Sequence, residues 1–221
     1  MFFTKEGALR FISHHDLMRL LERALRRTGL PLKLSEGFNP RPQLSFPVAL
    51  ALGAETQAEV FEVDLTEWIS PARVMRVLGG KLPEGIGLRE VRSVQYGEKA
   101  EVVSTEFAVG MSRVPEDFEE KLAAFLASAQ AVVERKRKSG GKSINAREYV
   151  RYAHLDGSTL RLGLSVTNAG TVRPDEVIDA VLRGDSEALA PLHVTRTRLD
   201  LAPTAQSQGS SNVTKDVGQY E

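Results

Sequence analysis

Two hydrophobic periods alternate along this chain, and their alternation limits the fold more than any other feature. Between residues 14 and 27, Leu17, Leu20, Leu21, Ala24 and Leu25 recur at i, i+3, i+4, i+7 and i+8, which puts them on one side of a helix. EVFEVDL (59–65) instead alternates Val60, Glu62 and Asp64 with Phe61, Val63 and Leu65, the period-two pattern of a half-buried strand. A run with helical period does not sit as a strand, so the chain has to build helices layered on a sheet.

Turn and cap residues set the order of these elements. Ser13 followed by Asp16 reads as an N-cap with an acidic partner, and Gly29 with Pro31 supplies the stop. The first half then reads as strand, helix, strand, strand, helix, strand: LRFIS (9–13) opens it, the helix HDLMRLLERALRRTGLP (15–31) follows, and the runs PLKLS (31–35) and LSFPVALAL (44–52) lead to the half-buried strand EVFEVDL. Ser70-Pro71 opens a second helix with Pro at its first position, and GIGLREVRSVQ (85–95) closes the half as a strand. The second half repeats this grammar: STEFAVGMS, a helix opened by Pro115 with Phe118, Leu122, Phe125 and Leu126 inward, VVERKRK, TLRLGLSV, the helix RPDEVIDAVL, and LHVTRTRLDL. Each half fits βαββαβ. The expectation is an α+β fold of two tandem ferredoxin-like units with antiparallel sheets, 1–97 and 98–201, and a disordered tail at 202–221. The tail is Ser-, Gln- and Gly-rich with almost nothing apolar to bury.

Composition enters where it excludes chemistry. With 42% hydrophobic and 26% charged residues the chain is of ordinary globular type. It has no Cys, so disulfides, thiolate nucleophiles, Cys-ligated zinc and Cys-held iron–sulfur clusters are all excluded from it. No apolar run approaches the roughly 20 residues of a membrane helix, and a cytoplasmic protein with no membrane contact is expected. P-loop, GxGxxG, GxSxG, HExxH and EF-hand patterns do not occur, and neither a metal nor another cofactor is expected.

Net charge is zero, but the charges are segregated. Residues 1–50 carry eight bases against four acids, residues 51–70 carry five acids and no base, and residues 132–151 carry seven bases against two acids. On the first helix, Arg19, Arg23, Arg26 and Arg27 lie opposite the leucines, a row of rigid donor forks suited to phosphate or carboxylate. Its alternative is a solvated helix face. Ser13 and His14 stand at the strand-to-helix junction, where helix N–H groups favour an anion and an imidazole could move protons near neutral pH. They are the candidate catalytic pair, against a purely structural His14. His15 beside them points elsewhere, because successive helical residues do.

The loop Ser35–Pro42 sets Gly37, Phe38, Asn39 and Arg41 between prolines, so that Phe38 could stack on a base while Arg41 meets its phosphate. Equally, Phe38 could enter the core. In the second basic zone Arg135, Lys136, Arg137, Lys138 and Lys142 flank Ser139-Gly140-Gly141 as a basic hairpin with Tyr149 and Tyr152 nearby, which resembles a single-strand RNA platform. Arg10 completes the candidate anion-binding set.

The string LRFISHHDLMRLLERALRRTGLPLKLSEGFNPRPQLSFPVALALG (9–53) resembles the signature of the radical SAM-linked protein family. Arg10, Phe11, Ser13, His14, Asp16, Arg19, Arg23, Ala24, Arg26, Arg27, Pro31, Ser35, Gly37, Phe38, Asn39, Pro40, Gly53 and Glu59 carry the match, and residues 136–138, Tyr149 and 171–174 fit more loosely. The resemblance implies an uncharacterised domain encoded beside, or fused to, a radical SAM protein, and so a radical SAM protein as partner. The family pattern has Leu at the position of His15 and often His at that of Arg41, which argues against essential catalysis at either. Without Cys this chain is not the radical enzyme, and it would be the accessory half that holds RNA or another anionic substrate. Two further readings compete with a non-catalytic binder. One is a metal-independent ribonuclease using His14. The other is a scaffold that docks the radical SAM protein through Glu59–Asp64 and the arginine row. Oligomeric state is not legible in the sequence.

Overall fold

The computed structural model describes residues 1–95, 97–135, 141–183 and 192–203. They form a mixed α/β structure in which four α-helices pack on one seven-stranded sheet, with two short two-stranded ladders beside it. In chain order the elements are β1 (Phe2–Lys5), α1 (His14–Arg26), β2 (Leu44–Ser45), β3 (Glu55–Val60), β4 (Glu62–Val63), α2 (Pro71–Gly79) and β5 (Ile86–Glu90). There follow β6 (Val102–Gly110), α3 (Phe118–Ala127), β7 (Val132–Arg135), β8 (Lys142–Asn145), β9 (Val150–Asp156), β10 (Thr159–Ser165), α4 (Pro174–Leu182) and β11 (His193–Leu201).

The large sheet has the order β5-β1-β3-β11-β6-β10-β9. β11 pairs parallel with β3 and every other neighbouring pair is antiparallel, so the sheet is mixed. The C-terminal half supplies the four antiparallel strands β11-β6-β10-β9, whereas the N-terminal half supplies only three, and β11 occupies the place beside β3. Two tandem units with a four-stranded sheet each are therefore not what these hydrogen bonds build. The runs at 31–35 and 44–52 stay out of the main sheet: Leu32 and Leu34 make single bridges to Leu65 and Pro42, and only Leu44–Ser45 forms a ladder, with β4. Prolines at 31, 42 and 47 remove the donors a continuous strand there would need.

Two other expectations are corrected. The first strand is Phe2–Lys5, not 9–13, and Gly7–Phe11 is a 3₁₀ turn with no buried residue. In the second half Val132–Arg135 pairs with β8 as a separate two-stranded ladder, and the strand beside β10 is β9, whose sequence VRYAHLD hides its alternation behind charged and aromatic residues. The expected disordered tail falls, from residue 204 onward, outside the described residues.

Burial follows the periods. Leu17, Leu21, Ala24 and Leu25 of α1 pack with Phe3, Phe61, Leu78 and Ile86, while α3 and α4 cover Leu160, Leu162 and Leu164 of β10 together with Phe107 and Val109. At roughly 25 cal/mol per Å² of apolar surface, these fully buried aliphatic and aromatic side chains each contribute about 1.5–3 kcal/mol. Val60, Val102 and Leu199, from β3, β6 and β11, form a third, smaller cluster with Phe2, Val166 and Leu201. No helix among the described residues is long and apolar enough to cross a membrane.

Candidate functional site

Helix α1 and the segment after it form one surface. Ser13 caps the helix as its spacing foretold: the Asp16 N–H donates to Ser13 Oγ at 3.1 Å, and that hydroxyl donates in turn to the Asp16 carboxylate at 2.7 Å. With both functions of the hydroxyl engaged, Ser13 holds the helix end and is not poised as a nucleophile or phosphate donor.

His14 and His15 diverge, their rings 6.2 Å apart and tilted by 58°. His14 lies towards the leucine side of α1 and sets its ring edge against Phe46, at 5.0 Å between centroids, while His15 is exposed. Burial against that aromatic wall, followed by the neighbouring His15, holds the His14 imidazole below its ordinary value of 6.5. It is therefore neutral at pH 7, and no hydrogen bond orients it among the described residues.

At 100° per residue Arg19, Arg23, Arg26 and Arg27 fall within a sector of about 100°, and all four are exposed. Their engagements differ. Arg19 sits 3.6 Å from Asp16, an exposed pair of little energetic weight. Arg27 donates to the Lys81 carbonyl at 2.7 Å, which ties α1 to the turn after α2, and Arg26 donates to the Pro40 carbonyl. Arg23 has no partner among the described residues.

The Arg26 contact braces the loop 35–42. Within it the Ser35 N–H donates to the Arg41 carbonyl at 2.7 Å and the Arg41 N–H donates to Ser35 Oγ at 3.1 Å, which closes a tight ring of backbone. Gly37 sits at φ 114°, a conformation that a side chain would strain. Phe38, at the tip, is fully exposed, so the reading in which it enters the core is set aside. Asn39 and Arg41 are exposed beside it.

At the other end of α1, Arg10 is bound into a different cluster. Its guanidinium meets His193 Nδ1 at 3.0 Å, lies 3.7 Å from Glu55 and covers the Phe11 ring at 4.6 Å. Glu55 also reaches His193 Nε2 at 3.4 Å and accepts from the Gly7 N–H at 3.0 Å. Arg10 is thus balanced by an acid, which the sequence did not disclose because Glu55 and His193 are distant from it along the chain.

The second basic zone divides in the same way. Arg135 makes two hydrogen bonds of 2.6 Å to the Glu176 carboxylate and one of 2.9 Å to the Thr171 carbonyl, fastening the β7–β8 hairpin to the start of α4. The Glu176 hydrogen bond holds the Arg135 guanidinium above its ordinary value. Lys142 is exposed at the rim of a small depression of about 180 Å³ that Arg135, Asn145, Tyr149 and Thr171 also line. Lys136, Arg137 and Lys138 lie outside the described residues.

Two features went unread in the sequence. One is a buried ion pair between Glu59 and Arg196. The other is a cleft of about 660 Å³ across the ends of β1, β3 and β11, lined by Phe2, Val60 and Leu201 and by the exposed Trp68 and Val94. Among the described residues no group of three or more His, Asp or Glu is arranged to hold a metal ion.

The fold and this surface define a mixed α/β protein whose first helix and following loop present arginines and a bare aromatic side chain to solvent. The chain belongs to the DUF2344 family, described as an uncharacterized protein conserved in bacteria, whose model matches residues 1–174. That match takes in all of α1 and the braced loop, and its description carries no link to radical SAM chemistry. No curated protein matches the chain. Among solved structures, a chain from a crystal structure of a Cbf5-Nop10-Gar1 complex is similar at 12% identity and a TM-score of 0.40, with 90% of this chain and 48% of that chain covered.

Proposed function

We propose that this protein is a non-catalytic accessory subunit that binds RNA, or a chemically similar polyanion, on the surface formed by α1 and the loop 35–42, and that it serves a radical SAM partner. One observation carries the reading: Phe38 stands fully exposed on a loop pinned to α1 through Arg26, with the exposed guanidinium groups of Arg23 and Arg41 on the same segment. An exposed, pre-ordered aromatic ring gains little for folding and a great deal for a planar ligand, since base–aromatic stacking contributes about 1–3 kcal/mol per base. Arg19, Arg23 and Arg27 extend the surface along the helix as phosphate contacts. The resemblance of residues 9–53 to the radical SAM-linked signature supports the partner, and the absence of Cys from this chain assigns the cluster chemistry to that partner.

The ribonuclease reading gains no support, because Ser13 is spent on the helix cap and His14 packs against Phe46 with neither an orienting acceptor nor a nucleophile beside it. The test is filter binding of total cellular RNA across a salt series. Affinity is expected to fall linearly on a log–log plot, and Arg23→Glu with Arg41→Glu is expected to flatten the slope and weaken binding. An affinity indifferent to salt and to these two changes would overturn the reading. Co-purification of a radical SAM enzyme that survives nuclease treatment tests the partner.

A further inference from the structure

The face of the sheet opposite α3 and α4 carries an arrangement that the α1 surface does not explain. Leu160, Leu162 and Leu164 of β10 point into the core, so Arg161 and Gly163 between them point away from it. The register of β10 with β9 sets Gly163 opposite Tyr152 and Arg161 opposite His154. On the other side Gly163 is opposite Glu106 of β6, and Glu106 is opposite Arg198 of β11. One band of side chains therefore crosses four strands on a single face.

Its centre is unusual. A Cβ placed on Gly163 would fall 2.3 Å from Cε1 and 2.6 Å from Cδ1 of Tyr152, closer than non-bonded carbons approach. Only glycine lets the Tyr152 ring lie down on the backbone of β10. Glu106 lies across Gly163 from the Tyr152 ring, and the His154 ring follows at 6.0 Å with its plane within 29°. Tyr152 remains 37% exposed. Two neighbouring rings with their planes inclined by 29° thus sit on an open sheet face instead of being packed into a core.

The charges around the rings are balanced in number, and one guanidinium is left unpaired. Arg151, Arg161 and Arg198 are exposed at the margins. Three acids share the face. Glu106 is half-buried, while Asp200 is half-buried and accepts from Ser104 at 2.7 Å and from Arg198 at 2.8 Å. Asp156 is exposed at the end of the band, 3.6 Å from Arg161. Three guanidinium groups thus face three carboxylates, and of the three only Arg151 has no hydrogen bond or ion pair among the described residues.

We infer that this face is a stacking platform for unpaired nucleotides, with the exposed rings of Tyr152 and His154 receiving bases and the unpaired Arg151 meeting a phosphate. The inference rests on the RNA-binding reading and deepens it: the preferred target is a single strand, because bases inside a duplex cannot reach rings that lie flat on a sheet. It also gives the protein two separate contact regions, α1 with its loop and the β9–β10 face.

Fluorescence anisotropy with a short fluorescein-labelled single-stranded RNA, and with the blunt duplex of the same sequence, tests it. The wild-type protein is expected to prefer the single strand. Tyr152→Ala is expected to weaken single-strand binding about five- to a hundredfold. Tyr152→Phe, which keeps the ring and loses only the hydroxyl, is expected to bind the single strand more tightly than the alanine variant. Tyr152→Leu keeps apolar cover over Gly163 without a π face, so it supplies the loss-of-stacking result even where the alanine variant unfolds. Photocrosslinking with 4-thiouridine in the same strand is expected to mark the β9–β10 peptide. Unchanged affinity in the alanine and leucine variants, or crosslinks confined to α1, overturns the platform. If Arg23→Glu still weakens binding in that case, the broader RNA reading stands while this one falls. No affinity of the wild-type protein for either probe removes both.

Discussion

Glu59 of β3 and Arg196 of β11 form an ion pair of 2.7 Å across the parallel strand pair that joins the two halves of the chain, with only 1% and 3% of their side-chain surfaces exposed. The Val60 N–H also donates to Glu59, and Arg196 donates to the Ala49 carbonyl at 3.1 Å, which anchors the irregular segment before β3. Burial pushes the Glu59 carboxyl up from its ordinary value while Arg196 pulls it back. Two charges in so dry a place cost much desolvation, and their attraction roughly offsets it. Removing one partner strands the other. Glu59→Gln or Arg196→Met alone is expected to lower stability by about 3–5 kcal/mol, and Glu59→Leu with Arg196→Met together by much less than the sum of the single changes. Urea unfolding of the double-mutant cycle measures this, and additive losses would show that the two side chains do not act as a pair.

Arg135 and Glu176 make the equivalent fastening in the C-terminal half, and their pH signature has a definite sign. Burial raises the Glu176 carboxyl, but the Arg135 hydrogen bond, the Arg173 N–H and both guanidinium charges outweigh it, and the net position is below the ordinary 4.5. A carboxyl depressed in the folded state contributes stability above its unfolded value, and that contribution is lost as pH falls through the folded value. Acid unfolding followed by circular dichroism is therefore expected to begin below pH 4.5, and Arg135→Ala is expected to move it to higher pH. The same change is expected to cost about 3 kcal/mol at neutral pH, because it leaves a shielded carboxylate without its partner.

What the sequence disclosed and what it hid divide along one physical line. Local signals were legible: the Ser13 cap, the leucine side of α1, Pro71 and Pro174 opening their helices, and the period-two leucines of β10. Each depends on residues within a turn or two of one another. Pairing across the chain was not legible. β11 settling beside β3, Glu59 finding Arg196 and Glu55 finding Arg10 and His193 all join residues more than forty positions apart. The same limit separated the candidate arginines. Counting charges treated Arg10 and Arg135 like Arg23 and Arg41, yet the first two are matched by distant acids and the last two are not. β9 was missed because its outward residues, Arg151, Tyr152 and His154, broke the hydrophobic alternation that identifies a strand, and they broke it where the open face needs polar and aromatic groups.

His14 gives a direct check on the geometry at the start of α1. A histidine whose folded value lies below 6.5 favours its neutral form, so the stability it supports is present above pH 6.5 and declines as pH falls through the folded value. NMR titration of the imidazole carbon protons is expected to show His14 titrating below 6.5. His14→Phe, which preserves contact with Phe46, is expected to leave RNA affinity at pH 7 unchanged. A titration at or above the ordinary value would mean that His14 is not held against Phe46.

Phe38 separates folding from function more cleanly than any other side chain on this surface. Its ring is fully exposed, and the loop below it is held by backbone bonds between Ser35 and Arg41 and by Arg26, none of which involves the ring. Truncation therefore removes no buried area and breaks no bond, and a surface change of this kind usually shifts stability by no more than about 0.5 kcal/mol. Phe38→Ala is expected to leave the thermal midpoint where it is and to weaken RNA binding about five- to a hundredfold, whereas Arg26→Ala, which frees the loop, is expected to weaken it less. A parallel thermal melt and anisotropy titration decide the matter: equal loss of both quantities would make Phe38 part of the folded core in solution, and loss of neither would take the loop out of the binding surface.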